Sequence, residues 1–151
     1  MKEMKVLLVD DEEEFVKALS ERMEMRDLKS DVSLSGEQAL KTMDENLPDV
    51  MVLDLKMPGM DGMEVLRRAK KAYPGVQIIM LTGHGSEKDE KEARRLGVFE
   101  YLQKPVEFEK LMRAVTNAYK SKFESSMSTV TFAEAGEFDT ARKIIDDEKK
   151  K

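Results

Sequence analysis

Short apolar runs alternate with stretches of helical periodicity through most of this chain, and that order leaves few folds open. The strongest runs are continuously apolar, which is typical of strands buried on both faces. Five strands are predicted, at residues 5–9, 31–34, 49–53, 76–81 and 98–102. A β–α order of this kind requires parallel strands that are covered by helices on both faces and joined by right-handed crossovers. The sequence therefore predicts an α/β fold built on a parallel sheet.

Several predicted helices have recognisable ends. Ser35 and Gln38 have the spacing of a capping box, and Ser86 is a favourable N-cap for a highly charged helix. Gly97 has the position of the glycine that commonly follows a helix end. A last helix is predicted over residues 107–120.

Polar residues follow the predicted strands where the strands end. Asp10 and Asp11 follow the first strand, Asp54 follows the third, and Thr82 follows the fourth. Lys104 follows the fifth strand. In a doubly wound parallel sheet, ligands bind beyond the carboxyl ends of the strands. We therefore expect three carboxylates, a hydroxyl and an ammonium group to converge in one crevice.

The chemistry of this set favours a divalent cation and a phosphoryl group. Carboxylates that lie close together raise one another's pKa, so a positive charge should offset them. Hard oxygen ligands suit Mg²⁺, which usually shares its coordination with phosphate. A carboxylate can also act as a nucleophile and form an aspartyl-phosphate. Lys104 and Thr82 could then contact the phosphoryl oxygens.

Composition excludes several other kinds of site. The chain has no cysteine and one histidine, His84, so it offers neither a disulfide framework nor a thiolate or multi-histidine metal site. The net charge of −5 argues against an extended nucleic-acid surface. No apolar run approaches the roughly 18 residues that a membrane-spanning helix needs. We therefore expect a cytoplasmic protein with no direct contact to nucleic acid or membrane.

Four motifs resemble the receiver domain of two-component response regulators. They are VLLVDDE at residues 6–12, DVMVLDLKMPGMDG at 49–62, IIMLTGHG at 78–85 and EYLQKP at 100–105. The resemblance covers about residues 4–120 and keeps the family's order of motifs. It implies a five-stranded parallel sheet of order 2-1-3-4-5, the flavodoxin-like (βα)5 receiver fold.

The resemblance also implies roles for individual residues. Asp54 would accept a phosphoryl group from a histidine kinase or a histidine phosphotransfer protein. Asp11, Asp54 and the backbone carbonyl of Lys56 would bind Mg²⁺ (or Mn²⁺) directly, and Asp10 would act mainly through water. Lys104 would pair with the phosphate.

The same resemblance assigns a switch pair and a cis peptide bond. Thr82 and Tyr101 would form the switch, in which the hydroxyl moves toward the phosphate and the aromatic ring turns inward. Pro105 would follow a cis peptide bond. Lys56 and His84 occupy positions that border the phosphorylation site in this family, and our hypothesis is that they tune the lifetime of phospho-Asp54. The alternative is that both are simply exposed loop residues.

The function that follows is a phosphorylation-driven switch that changes the binding of an unknown downstream protein or relays phosphate onward. Its chemistry would be limited to its own Asp54, so it would not be a turnover enzyme. A haloacid-dehalogenase-like phosphatase is disfavoured because Lys56 stands where that family has a second aspartate. A phosphate-independent binding module and a flavodoxin-like cofactor binder are further alternatives. A homodimer is possible, since receivers commonly form one.

The C-terminal part is predicted to be separate from the receiver domain of residues 1–120. Six of the eleven residues 121–131 are Ser or Thr, which is typical of a linker. Residues 132–151 have apolar residues at helical spacing and are predicted to form a short helical extension with a disordered end. This segment is too short for a helix-turn-helix module, so no DNA-binding output domain is expected.

Overall fold

The computed structural model describes residues 3–134, and the side chains of residues 3–124. Five strands form one parallel sheet of order β2-β1-β3-β4-β5, as predicted. The strands are β1 (Val6–Val9), β2 (Ser30–Ser33), β3 (Val50–Leu53), β4 (Gln77–Thr82) and β5 (Glu100–Gln103). The helices are α1 (Glu13–Glu24), α2 (Gly36–Glu45), α3 (Gly62–Ala72), α4 (Glu87–Arg95) and α5 (Phe108–Glu134).

The sheet separates two apolar clusters, one on each face. Alternate residues of a strand point to opposite faces, so Leu7 belongs to one cluster and Leu8 to the other. The first cluster includes side chains of α2, α3 and α4, and the second includes side chains of α1 and α5. All four residues of β1 and of β3 are buried, because helices cover both faces of these central strands.

The predicted caps are present. The Ser35 hydroxyl accepts a hydrogen bond from Gln38 N–H, although the Gln38 side chain accepts from Leu34 N–H and so does not complete a capping box. Ser86 does form a complete capping box, with Asp89. Gly97 follows α4 with a φ of 99°, a conformation that glycine adopts at low cost.

The last helix is longer than predicted. The sequence predicted that it ends near residue 120 and that residues 121–131 form a linker, but α5 continues through them to Glu134. Ser and Thr lower helix propensity by only a few tenths of a kcal/mol each relative to Ala. The helix contains no Gly or Pro that would end it, and the next glycine is Gly136. The expected helix end at residue 120 was therefore wrong.

Residue contacts divide the chain into one unit of Met1–Tyr119 and a second of Lys120–Lys151. The remainder of the predicted extension, residues 135–151, lies outside the described residues. Within residues 3–134, no helix combines the length and the apolar character that crossing a membrane would require.

Candidate functional site

The strand register brings the predicted site residues to one edge of the sheet. Asp54 N–H donates to the carbonyl of Val9 over 2.9 Å, which ties the end of β3 to the end of β1. Lys104 N–H donates to the carbonyl of Thr82 over 3.0 Å, which ties the end of β5 to the end of β4. The backbone therefore fixes where Asp54, Thr82 and Lys104 leave the sheet.

Three carboxylates form a compact cluster at this edge. Asp10, Asp11 and Asp54 each offer an oxygen, and these oxygens all lie within 4.8 Å of one another. Asp10 and Asp54 are only 4% and 3% exposed, whereas Asp11 is exposed. Burying two carboxylates side by side is unfavourable unless positive charge compensates them.

Burial raises the pKa of the Asp54 carboxyl, and the charge of Asp10 raises it further. Three groups act in the opposite direction: the charge of Lys104, a hydrogen bond with the Thr82 hydroxyl, and the Leu55 N–H, which lies 2.9 Å from Asp54 Oδ1. Asp54 is thus a buried carboxylate. Lys104, Thr82 and Leu55 favour its charged form, whereas its burial and the neighbouring Asp10 disfavour it.

Lys104 supplies the positive charge. Its Nζ atom lies 2.8 Å from Asp10 Oδ2 and 2.8 Å from Glu12 Oε1. The same ammonium lies 4.4 Å from the centroid of the Phe15 ring. Burial lowers the pKa of Lys104, but its hydrogen bonds to Asp10 and Glu12 outweigh this effect, so the pKa is raised. Lys104 remains charged in the pocket.

Thr82 and Tyr101 lie on the neighbouring strands β4 and β5. Thr82 is fully buried, and its hydroxyl accepts a hydrogen bond from His84 N–H over 3.1 Å. The Tyr101 side chain is 6% exposed, and its hydroxyl has no hydrogen-bond partner among the described residues. The peptide bond between Lys104 and Pro105 is cis, the isomer that the resemblance implies.

Comparison with known proteins identifies the family. The model of the response regulator receiver domain matches residues 6–116. The chain belongs to this receiver family. Membership implies interaction with phosphodonors such as histidine kinases, and receiver domains bind Mg²⁺ in an acidic pocket of the kind that Asp10, Asp11 and Asp54 form.

Curated relatives are longer than this receiver domain. The transcriptional regulatory protein GlrR of Escherichia coli (strain K12) is 35% identical over 113 residues, which are 75% of this chain and 26% of the relative. The luminescence regulatory protein LuxO of Vibrio campbellii is 41% identical over 86 residues, 57% of this chain and 19% of the relative. The receiver thus spans about a quarter or less of these two proteins.

Solved structures cover nearly the same length as the receiver. A response regulator receiver domain from Clostridium thermocellum is 36% identical with a TM-score of 0.75, covering 79% of this chain and 96% of the other. A CheY-like receiver from Methanospirillum hungatei has a TM-score of 0.79 at 22% identity, covering 82% and 99%, and shows the fold alone.

Gly62 belongs to the receiver site, although the sequence did not point to it. The preceding residue, Asp61, caps α3 by accepting a hydrogen bond from Glu64 N–H over 3.0 Å. A Cβ on Gly62, however, would lie 2.1 Å from the backbone oxygen of Asp54. Only glycine allows the start of α3 to approach the acceptor residue this closely.

Glu12 and Phe15, the further partners of Lys104, were not singled out from the sequence either. Glu12 is a highly exposed residue whose pKa is lowered mainly by its hydrogen bond and charge interaction with Lys104, with a smaller contribution from His84. The only signal was their position shortly after the Asp10–Asp11 pair: Glu12 directly precedes α1 and Phe15 lies in its first turn.

Lys56 and His84 are both exposed in the receiver structure. Lys56 helps to lower the pKa of Asp89, although hydrogen bonding to Ser86 is the larger cause, and His84 lies near enough to Glu12 to affect its pKa. Their role in phosphate lifetime, and the metal-binding role of the Lys56 carbonyl, stay predictions.

Proposed function

We propose that this receiver accepts a phosphoryl group on Asp54 from the phosphohistidine of a histidine kinase or a histidine phosphotransfer protein. The observation that carries the proposal is the burial of Asp54 between a second carboxylate, Asp10, and the hydroxyl of Thr82, with the ammonium of Lys104 held on Asp10. This arrangement suits phosphorylation of Asp54, because the phosphoryl group adds negative charge that Lys104 can offset.

In the transfer step, a carboxylate oxygen of Asp54 attacks phosphorus and the bond between phosphorus and the donor's imidazole nitrogen breaks. The electron pair of that bond stays with the nitrogen, and an acyl phosphate forms on Asp54. Water later attacks phosphorus, which releases inorganic phosphate and restores the carboxylate. Because burial and Asp10 raise the pKa of Asp54, its carboxylate is more basic and more nucleophilic than an exposed one.

The donor set fits Mg²⁺ (or Mn²⁺), because three carboxylate oxygens within 4.8 Å are ligands of the type these ions prefer. Asp11, Asp54 and the Lys56 carbonyl are the proposed direct ligands, and Asp10 would act mainly through water. When bound, the ion would neutralise charge on the carboxylates and on the phosphoryl oxygens.

The chain's own groups stabilise the remaining charge. Lys104 would give up its contact with Asp10 or Glu12 and bind a phosphoryl oxygen instead. Hydrogen bonds between an ammonium group and a charged oxygen are strong. The Thr82 hydroxyl, which helps to lower the pKa of Asp54, would donate a hydrogen bond to another phosphoryl oxygen. Leu55 N–H holds the carboxyl in place.

The proposed output is a change in partner binding that involves Thr82 and Tyr101. The chemistry is confined to the protein's own Asp54, so we propose a switch and not a turnover enzyme. The curated relatives are named as regulatory proteins, transcriptional in the case of GlrR, which supports our proposal of a cytoplasmic receiver. No direct contact with nucleic acid is proposed for this domain, and a homodimer remains part of the proposal.

Intact-mass spectrometry after incubation with acetyl phosphate tests the proposal. The expected result is a gain of one phosphoryl group that requires Mg²⁺ and is lost in Asp54→Asn. Asp31→Asn is a matched control, since Asp31 is an exposed carboxylate on β2 that accepts a hydrogen bond from Asn46. Absence of uptake from acetyl phosphate and from phosphorylated kinases would instead indicate a phosphate-independent binding module.

A further inference from the structure

The hydroxyl of Tyr101 occupies the space where residue 85 would carry a side chain. A Cβ built on Gly85 would lie 1.7 Å from Tyr101 Oη and 3.0 Å from Tyr101 Cζ. It would also lie 3.1 Å from Thr82 Cγ2. Real Cβ atoms essentially never approach another heavy atom to 1.7 Å, so the buried ring and a side chain at position 85 exclude each other.

This requirement for glycine concerns space and not the backbone. Gly59 and Gly97 have positive φ angles, which favour glycine at those positions, whereas Gly85 does not have one. The φ angle of Gly85 therefore does not itself require glycine. Position 85 has no room for a side chain while the Tyr101 ring is buried.

Packing alone holds the Tyr101 ring in its buried position. The ring belongs to the apolar cluster beneath α2, α3 and α4, and its hydroxyl is buried without a hydrogen-bond partner among the described residues. Leaving a hydroxyl unpaired in the interior is unfavourable. Burial, followed by the charges of Asp89 and Glu90, raises the pKa of this phenol. A modest steric change should therefore be enough to move the ring.

Gly83 and Gly75 lack this property. A Cβ on Gly83, in the same loop, would make only ordinary contacts of 3.7 and 3.8 Å with the Lys104 side chain. A Cβ on Gly75 would meet nothing within 4 Å. These two positions therefore provide matched glycine-to-alanine controls.

We propose that Gly85 is a positioning residue that admits the Tyr101 hydroxyl to the interior, so that any larger side chain at position 85 keeps the ring outside. Residue 85 thereby sets the resting position of Tyr101 and the surface that β5 and α4 present around it. The inference concerns ring position and does not require that Asp54 accept a phosphoryl group.

The test measures the exposure of each tyrosine ring in the full chain. Tyrosine rings are labelled with ¹³C, and a soluble paramagnetic probe broadens signals in proportion to their exposure. The chain has three tyrosines, so Tyr101→Phe identifies the Tyr101 signal by its loss. We expect Gly85→Ala to increase the broadening of Tyr101 several-fold and to leave Tyr73 and Tyr119 unchanged. Gly83→Ala and Gly75→Ala should leave Tyr101 protected.

A double-variant cycle separates ring displacement from general damage. Tyr101→Phe removes the atom at 1.7 Å and leaves the nearest ring contact at 3.0 Å. Gly85→Ala should therefore lower Tm less in the Tyr101→Phe background than in the wild-type background. Should Gly85→Ala fail to fold, Gly85→Ala combined with Tyr101→Ala should fold, because the ring is then absent.

Three results would overturn the inference: a Tyr101 ring that stays protected in folded Gly85→Ala, an equal loss of Tm in both backgrounds, or failure of the Tyr101→Ala combination to restore folding. Absence of phosphoryl uptake in the wild-type chain, with the ring exposures as expected, would count against the proposed function and leave this inference standing.

Discussion

Lys104 Nζ lies 2.8 Å from Asp10 Oδ2, and this contact joins the end of β5 to the end of β1 across the acceptor pocket. Both side chains are largely buried, so the pair resists screening by solvent. The second partner of the ammonium, Glu12, is a highly exposed side chain. Lys104 is therefore held by one buried carboxylate, Asp10, and one solvated carboxylate, Glu12. The contact with Glu12 should break more readily than the contact with Asp10.

Glu12→Gln is expected to speed phosphoryl uptake from acetyl phosphate by a few-fold, because it removes the partner that competes with the phosphoryl oxygens for Lys104. The loss of stability should be small, about 0.2–1 kcal/mol, as for other exposed ion pairs. Uptake is followed by intact-mass spectrometry over time. Glu14→Gln is the control, since Glu14 is an exposed acid two positions further along, in the first turn of α1, and is not among the groups that act on Lys104. Equal rates in the two variants would contradict this role for Glu12.

Asp54→Asn is expected to stabilise the protein at neutral pH. The pKa of Asp54 is raised in the folded state, mainly by burial, so the folded protein binds more protons than the unfolded chain at pH values just above the unfolded pKa. Stability due to this group therefore falls as pH rises from the ordinary value of 3.8 through the folded pKa.

The gain in the free energy of unfolding from Asp54→Asn should therefore be largest above the pKa of Asp54 in the folded protein. It should shrink as the pH falls toward 3.8. Urea denaturation across the acidic to neutral range measures it, in Mg²⁺-free buffer. Asp31→Asn again serves as the control. An advantage that grows on acidification would show that the sign of the Asp54 contribution is opposite.

Gly62→Ala is expected to destabilise the domain by about 1–3 kcal/mol or more, because the new methyl group would overlap the backbone oxygen of Asp54. The displaced backbone should also slow phosphoryl uptake. Thermal denaturation and the uptake assay measure the two effects. Gly75→Ala should be neutral or stabilising by up to about 1 kcal/mol, since its Cβ meets open space. Similar stabilities of the two variants would refute the close-approach argument.

Replacing both Lys56 and His84 by Ala is expected to change the rate at which phospho-Asp54 loses its phosphate. Both side chains are exposed and lie two positions beyond Asp54 and Thr82, so they can influence access of water without supporting the core. The decay of the phosphorylated mass after removal of acetyl phosphate measures the rate. Lys88→Ala, an exposed lysine of α4, is the control. An unchanged lifetime would reject the hypothesis.

The convergence of Asp10, Asp54, Thr82 and Lys104 was predictable because it follows from topology. Each residue comes at or directly after the end of a strand, and parallel strands place all such ends on one edge. The strand order, by contrast, was predicted from the resemblance to receiver domains, since the spacing of the strands alone allows other orders. The caps at Ser86 and Gly97 were predictable because capping depends on neighbouring residues only.

Contacts between distant residues were not predictable. The bond from Lys104 to Glu12 joins positions 92 residues apart, and it depends on how far two flexible side chains reach. The need for glycine at positions 62 and 85 likewise arises from atoms supplied by other elements. The end of α5 was mispredicted for a local reason, because Ser and Thr residues were interpreted as a linker although the segment has no residue that stops a helix.

The bond between Lys104 and Asp10 spans 94 positions of the chain. During synthesis from the N-terminus, the three carboxylates are therefore made well before the ammonium that compensates them. A nascent chain that stops before β5 carries an uncompensated acidic cluster at its sheet edge. The acceptor pocket can reach its final electrostatic balance only when the last βα unit has emerged and docked, so completion of the pocket is a late event in folding on the ribosome.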